Sequence, residues 1–140
     1  MKDAVAAYGR FFAAIAPDSL DRLDGIVAPD VRFVDPFNDV TGIERYRAVF
    51  RHMFETVDQP RFTILRTAID GDTAFYRWRF SFRRKGAVDI WTIEGMSEGR
   101  FLANGLVAAH IDHWDAASQL YERLPVIGAL LRWLRRRLSI

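Results

Sequence analysis

The 140-residue sequence contains no cysteine. That excludes disulfides, thiolate nucleophiles and cysteine-ligated metals, and it fits a reducing, cytoplasmic location. Histidine is scarce, at three residues, and no H-x-x-x-H pair falls on a helical stretch, so no metal is expected. No glycine-rich phosphate loop follows a strand, so no cofactor is expected either. No run approaches the roughly 18 continuous apolar residues of a membrane span. Asp3 and the Gly9-Arg10 pair interrupt the alanine-rich start, which breaks up any signal-peptide core. A broad surface of one charge is missing too. The formal net charge is +2, but Arg132, Arg135, Arg136 and Arg137 stand together near the end; setting those four aside from the 20 basic residues leaves 16 against 18 acidic ones. Such a body offers nucleic acid no extended basic surface, and none is expected as a partner.

What is present is apolar and patterned. Half of the residues are hydrophobic and 14% are aromatic, enough for one domain with a real core. We read it as residues 1–140, with 118–138 as a C-terminal helical extension. Val5, Tyr8, Phe12 and Ile15 recur at helical spacing and predict a helix over 2–16, stopped by Pro17. A short helix with Leu20, Leu23 and Val27 inward follows and ends at Ala28-Pro29. Thr41 with Glu44 reads as a capping box that opens a helix carrying Ile43, Tyr46, Phe50, Met53, Phe54 and Val57 on one face, ending before Pro60. Strands are predicted over 62–69, 73–84, 88–101 and 106–115, with a bulge or kink at Glu98-Gly99 and turns at Asp70-Gly71, Lys85-Gly86 and Asn104-Gly105. Helices and a curled antiparallel sheet make an α+β layer that closes around a pocket.

The stretch Val31-Arg32-Phe33-Val34-Asp35-Pro36-Phe37 delivers one carboxylate to a strand end. Val31, Phe33 and Asp35 share a face at period two, and Pro36 keeps Asp35 extended. Beside apolar neighbours such a carboxylate suits a general base; the plainer reading is that Asp-Pro is turn chemistry. On the strand over 73–84, Tyr76, Trp78, Phe80 and Phe82 alternate with Arg77, Arg79, Ser81 and Arg83. With the aromatics inward, the cavity is deep and aromatic, and the arginines form a solvated or dimer-facing row paired with acids such as Asp89. His110, Asp112 and Trp114 share one face of the last strand; Thr92, Glu94 and Met96 share one face of the strand before it.

Val34-Asp35-Pro36-Phe37, Thr41-Gly42-Ile43-Glu44, Ile93-Glu94-Gly95-Met96 and His110-Ile111-Asp112-His113-Trp114-Asp115, in that order, resemble the NTF2-like superfamily, and within it the SnoaL-like and ketosteroid-isomerase-like branch. The resemblance reaches to about residue 117. It implies a cone-shaped α+β barrel, open at one end, and a homodimer. It also implies that Asp35 shuttles a proton between carbons and that Glu94 is a protonated acid donating to the dienolate oxygen, the arrangement that exemplifies a neutral carboxylic acid in an oxyanion hole. Tyr8 is the match to the oxyanion tyrosine, although a gapless alignment puts Phe11 there. His110 and Asp112 are read as an alternative acid/base pair, as in SnoaL-type cyclases. Phe33, Phe37, Tyr76, Trp78, Phe80, Phe82, Thr92, Met96 and Trp114 are the expected contacts to a flat, apolar, carbonyl-containing molecule. His113 and Asp115 fall on the opposite side as interface or capping residues. The competing reading is a non-catalytic ligand-binding or dimerisation module in which Asp35 caps a turn. The tail over 124–138 is apolar first and then basic: its plain role is a helix packed across the barrel, its sharper one a weak contact with an anionic membrane surface.

Overall fold

Leu23, Val27, Val31 and Phe33 are at most 1% exposed, and burying that run dictates how the first third of the chain folds. The computed structural model describes residues 1–139; Ile140, the last residue of the expected domain, lies outside them. Helix α1 covers Lys2–Ala13 and turns Val5, Tyr8, Phe11 and Phe12 inward. It ends three residues short of the predicted stop, and the short helix that follows is a 3₁₀ helix over Pro17–Gly25 with Pro17 in its first turn. Strand β1 (Val27–Val34) then begins before Pro29 instead of after it. Pro29 is tolerated because the register of β1 on its neighbour breaks between Val27 and Arg32, so no ladder bond is asked of it.

Strand β2 (Asp39–Thr41) precedes helix α2 (Ile43–Thr56). The capping box does not form. Thr41 belongs to β2, and the cap is Gly42, at a φ of 101° that only glycine adopts without strain. The Glu44 carboxylate pairs with Arg47 instead.

Four longer strands follow: β3 (Val57–Asp70), β4 (Thr73–Arg84), β5 (Ile90–Phe101) and β6 (Val107–His113). β3 starts five residues earlier than predicted and contains Pro60, which an edge strand with a register break between Asp58 and Arg61 accommodates. The sheet order is β2-β1-β6-β5-β4-β3. It is mixed, not wholly antiparallel, because β1 runs parallel to β6. Glu98 and Gly99 stay in register with β4, and the irregularity falls between Arg100 and Phe101. The curved sheet stays open, with β2 and β3 as its edges, and α1 and α2 pack against it. The result is the expected α+β layer.

Beyond β6 come helix α3 (Ala116–Gln119), a 3₁₀ turn over Tyr121–Arg123 and helix α4 (Pro125–Leu138). The 118–138 extension is thus broken, and Pro125 opens α4 in the position where its missing N–H costs nothing. The expectation that this helix crosses the barrel is not met. α4 rests on the 3₁₀ turn before it, and Gly128 is its one buried residue. Among the described residues no helix is long and apolar enough to cross a membrane.

Candidate functional site

The inner face of the sheet is set by strand parity. On β4 the buried residues include Ala74, Tyr76, Trp78 and Phe82; on β5 they are Trp91, Ile93, Ser97, Gly99 and Phe101. Antiparallel partners share a face, and the register places Trp78 opposite Gly95 and Arg79 opposite Glu94. A Cβ on Gly95 would lie 2.6 Å from the Trp78 ring, so this glycine is what lets the indole lie flat across β5.

The same register overturns the expected inward placement of Thr92, Glu94 and Met96. All three lie on the outer face, with Arg77 and Arg79. Glu94 Oε1 accepts from Arg79 and Oε2 from Arg77, in ion pairs of 2.7 and 3.2 Å. Glu94 is therefore the acid that pairs with the arginine row, while Asp89 pairs with Arg84. The hydrogen bonds from Arg79, with the charges of Arg79 and Arg77, hold the Glu94 carboxyl below its ordinary range. It is an ionised surface carboxylate, the opposite of a neutral acid in an apolar site. A folded-state pKa below the unfolded one gives stability above the unfolded value, lost as pH falls through the folded value. Glu94→Gln should thus be slightly less stable than the parent in urea at pH 7 and converge with it below the ordinary value of 4.5. A gap that did not narrow as the pH fell below that value would contradict this account.

The inner face holds a buried polar chain instead. The Tyr8 hydroxyl lies 2.7 Å from the Tyr46 hydroxyl and 2.7 Å from His110 Nδ1. His110 Nε2 is 2.8 Å from Asp112 Oδ1. Ser97 donates to the same Oδ1, and the Trp78 indole N–H donates to Ser97 Oγ at 2.8 Å. Burial, reinforced by the neighbouring phenol and the Asp112 charge, raises Tyr8 well above the ordinary tyrosine range. Tyr46 is raised chiefly by burial as well. Both phenols therefore remain protonated at neutral pH. The Asp112 carboxylate oxygen only accepts, so the Nε2–H of His110 donates to it. His110 is 3% exposed and stacks on Phe33 at 5.2 Å, which locks its ring plane. Asp112 Oδ2 accepts from no described group.

Asp112 borders two spaces. A void of about 20 Å³ lies beneath it, among Tyr8, Phe12, Tyr76, Ser97 and His110. A cavity of about 340 Å³ lies above it, at the lower end of the range for small-molecule sites. Phe33, Phe37, Trp78, Phe80, Phe82 and Trp114 are among the residues that line that cavity. Phe62, Phe80 and Phe82 form its stacked wall, with ring centroids 4.3 and 5.0 Å apart. Tyr76 does not reach it: its hydroxyl donates to the Val5 carbonyl at 2.9 Å, in the floor. Phe11 and Tyr8 both belong to the buried core; Tyr8 borders the small void and meets His110 there, and does not line the larger cavity.

Asp35 lines the cavity, but its carboxylate is occupied. Oδ1 accepts from the backbone N–H groups of Phe37 at 2.8 Å and Asn38 at 2.6 Å, and the Asn38 side chain donates to both oxygens. This is the turn chemistry of the plainer reading. Asp35→Ala should lower stability by about 1 kcal/mol, the usual loss when a capping carboxylate is removed. Thermal unfolding checks it, and an unchanged midpoint would show the turn to be self-supporting. Asp115 also caps, accepting from the Ser118 N–H, and His113 faces Glu98 at 3.7 Å.

Sequence reasoning missed Tyr46, Ser97, Asn38 and His52. Tyr46 was legible only as one more apolar residue of α2, and His52 lies on an exposed turn of the same helix beside the cavity. Ser97 could have been found, because its parity matches Trp91 and Ile93. Trp114 lines the cavity, and its indole N–H has no hydrogen-bond partner among the described residues. Among those residues no cluster of side chains is arranged to hold a metal ion.

Comparison with known proteins adds the family. The SnoaL-like domain matches residues 8–110. The chain belongs to the SnoaL-like domain family. No curated protein matches it significantly. Among solved structures, this SnoaL-like chain is similar to an LEH-like epoxide hydrolase of M. tuberculosis (17% identity, 96% of this chain and 93% of that one, TM-score 0.71). It is also similar to a hypothetical protein of ketosteroid isomerase-like fold from Catenulispora acidiphila, in complex with trimethylamine (19%, 84% and 88%, 0.70). A third is TsrD from Streptomyces laurentii (24%, 91% and 94%, 0.67). At these identities the likeness establishes a shared fold and no activity.

Proposed function

We propose that this SnoaL-like protein transfers a proton next to a carbonyl in a small apolar molecule, with Asp112 as the base. One observation carries the reading: Oδ1 of Asp112 is fixed by His110 and Ser97, while Oδ2 is left without a protein partner at the border of an apolar cavity. A carboxylate held by one oxygen and open at the other is set to take a proton from carbon. His110 is a positioning residue, itself fixed by Tyr8 through Nδ1 and by Phe33 on its face. The free Trp114 N–H is the donor we assign to the oxygen on which charge develops. The aromatic wall of Phe62, Phe80 and Phe82 orients a flat substrate against this pair.

The reading is tested by following hydrogen–deuterium exchange at the carbon beside the carbonyl for a panel of flat apolar ketones. The protein should accelerate exchange in at least one of them above buffer. If it binds such ketones without accelerating any, the ligand-binding module is the better account, and the occupied state of Asp35 already suits that alternative.

A further inference from the structure

Helix α4 leaves most of its apolar residues uncovered by its own domain. Gly128, Leu131, Arg132 and Arg135 lie on the side toward the protein, Gly128 buried, Leu131 half-buried and the two arginines exposed but reaching back to Glu122. Gly128 is buried against the Glu122 backbone, where a Cβ would collide with the carbonyl. Arg132 donates to that carbonyl, and Arg135 pairs with the Glu122 carboxylate at 3.0 Å. Ile127, Leu130, Leu134 and Leu138 recur on the far side with Val126 and Trp133, turned to solvent: Val126 is 83%, Leu130 57% and Trp133 48% exposed. An amphipathic helix ordinarily buries its apolar stripe in the core; in this one Gly128 is buried and Leu131 half-buried, while the other apolar residues stay exposed.

We propose that α4 is an anchor for an anionic lipid surface, its outward stripe lying in the headgroup layer. Charge selects this occupant. Residues 124–139 contain no acid, and Arg136 and Arg137 form no ion pair among the described residues. The Arg137 guanidinium lies over the Trp133 ring at 4.9 Å, at the edge of the stripe itself. Packing α4 on α4 of a second copy would bury those arginines with no carboxylate on either helix to meet them, which is costly. Lipid phosphates supply the missing anions, and a tryptophan beside arginines suits the interfacial layer. The cavity lining reaches Trp114 and Leu120, in the segment that leads into α4, so an anchored protein would hold its cavity close to the source of apolar molecules. The anchor stands independently of any proton-transfer activity.

The test is co-sedimentation of the full chain with vesicles of equal parts phosphatidylglycerol and phosphatidylcholine, against phosphatidylcholine alone. Binding is expected to the anionic vesicles only and to be reversed by high salt. An arginine near an anionic surface contributes about fivefold, so the double variant Arg136→Gln/Arg137→Gln should bind roughly 30-fold more weakly. Leu130→Ser/Leu134→Ser should abolish binding while leaving the unfolding midpoint unchanged, because neither side chain touches the core. No binding to anionic vesicles, or equal binding to neutral ones, overturns the proposal. So does a dimer in sedimentation velocity that the leucine variant splits into monomers, which would show that a second copy covers the stripe.

Discussion

Asp112→Asn is expected to slow exchange at the carbon beside the carbonyl by roughly 10²- to 10⁴-fold, the usual contribution of a positioned general base. The substitution is chosen for what it keeps. Asparagine still presents an oxygen to the His110 Nε2–H and the Ser97 hydroxyl, so the buried chain stays paired and the fold should survive. What it loses is the second carboxylate oxygen, the one with no protein partner. Binding of a flat ketone should change little, and the loss should appear in turnover rather than in affinity. Asp35→Asn, at a carboxylate already occupied by its own turn, should leave exchange within a few-fold of the parent, and Glu94→Gln should leave it unaltered. If the order were reversed, with Asp35 carrying the large effect, the strand-end aspartate would be the base and the His110–Asp112 pair merely structural.

Phe33→Ala should be the most damaging single truncation, costing about 3–5 kcal/mol in urea or thermal unfolding. The ring is 1% exposed. It stacks on Tyr46 at 4.8 Å and on His110 at 5.2 Å, and it meets Phe50 edge-on at 5.7 Å. Each such pair adds about 0.5–1.5 kcal/mol to plain burial, and no neighbouring backbone can collapse into the space, because β1 lies between two other strands. Where the variant still folds, freeing the imidazole plane should also cut exchange. Phe33→Leu should recover most of the stability and little of the rate. A loss below about 1 kcal/mol for the alanine variant would mean that the site tolerates a hole at its centre.

Some of this was legible in the residues and some was not, for identifiable reasons. Alternation over 73–84 gives β4 residue for residue, because its two faces differ in kind, aromatic against arginine. Glu94 was misplaced by the resemblance, although β5 carries its own answer: Trp91 and Ile93 are the large apolar residues, and their parity excludes Glu94. Asp35 was rightly placed at a strand end, yet its partners are backbone N–H groups and Asn38, which no spacing rule names as a competitor for a catalytic carboxylate. The core of the site escaped for a different reason. Tyr8 and His110 are 102 residues apart, on α1 and β6, and Phe33 joins His110 only through the parallel pairing of β1 with β6.

That pairing governs when the site comes into being. β1 matches Phe33 to His110, so the first strand of the sheet waits for the last before its inner edge is complete. Contacts that span so much chain form slowly, since the entropy of closing the intervening loop is lost before any contact repays it. In chain order α1, β1 and α2, with Tyr8, Phe33 and Tyr46, precede β6, so the imidazole and Asp112 that they surround are synthesised last. The candidate site is therefore complete only when β6 lies between β1 and β5, and a chain cut short of residue 107 carries the tyrosines of the site without His110 and Asp112.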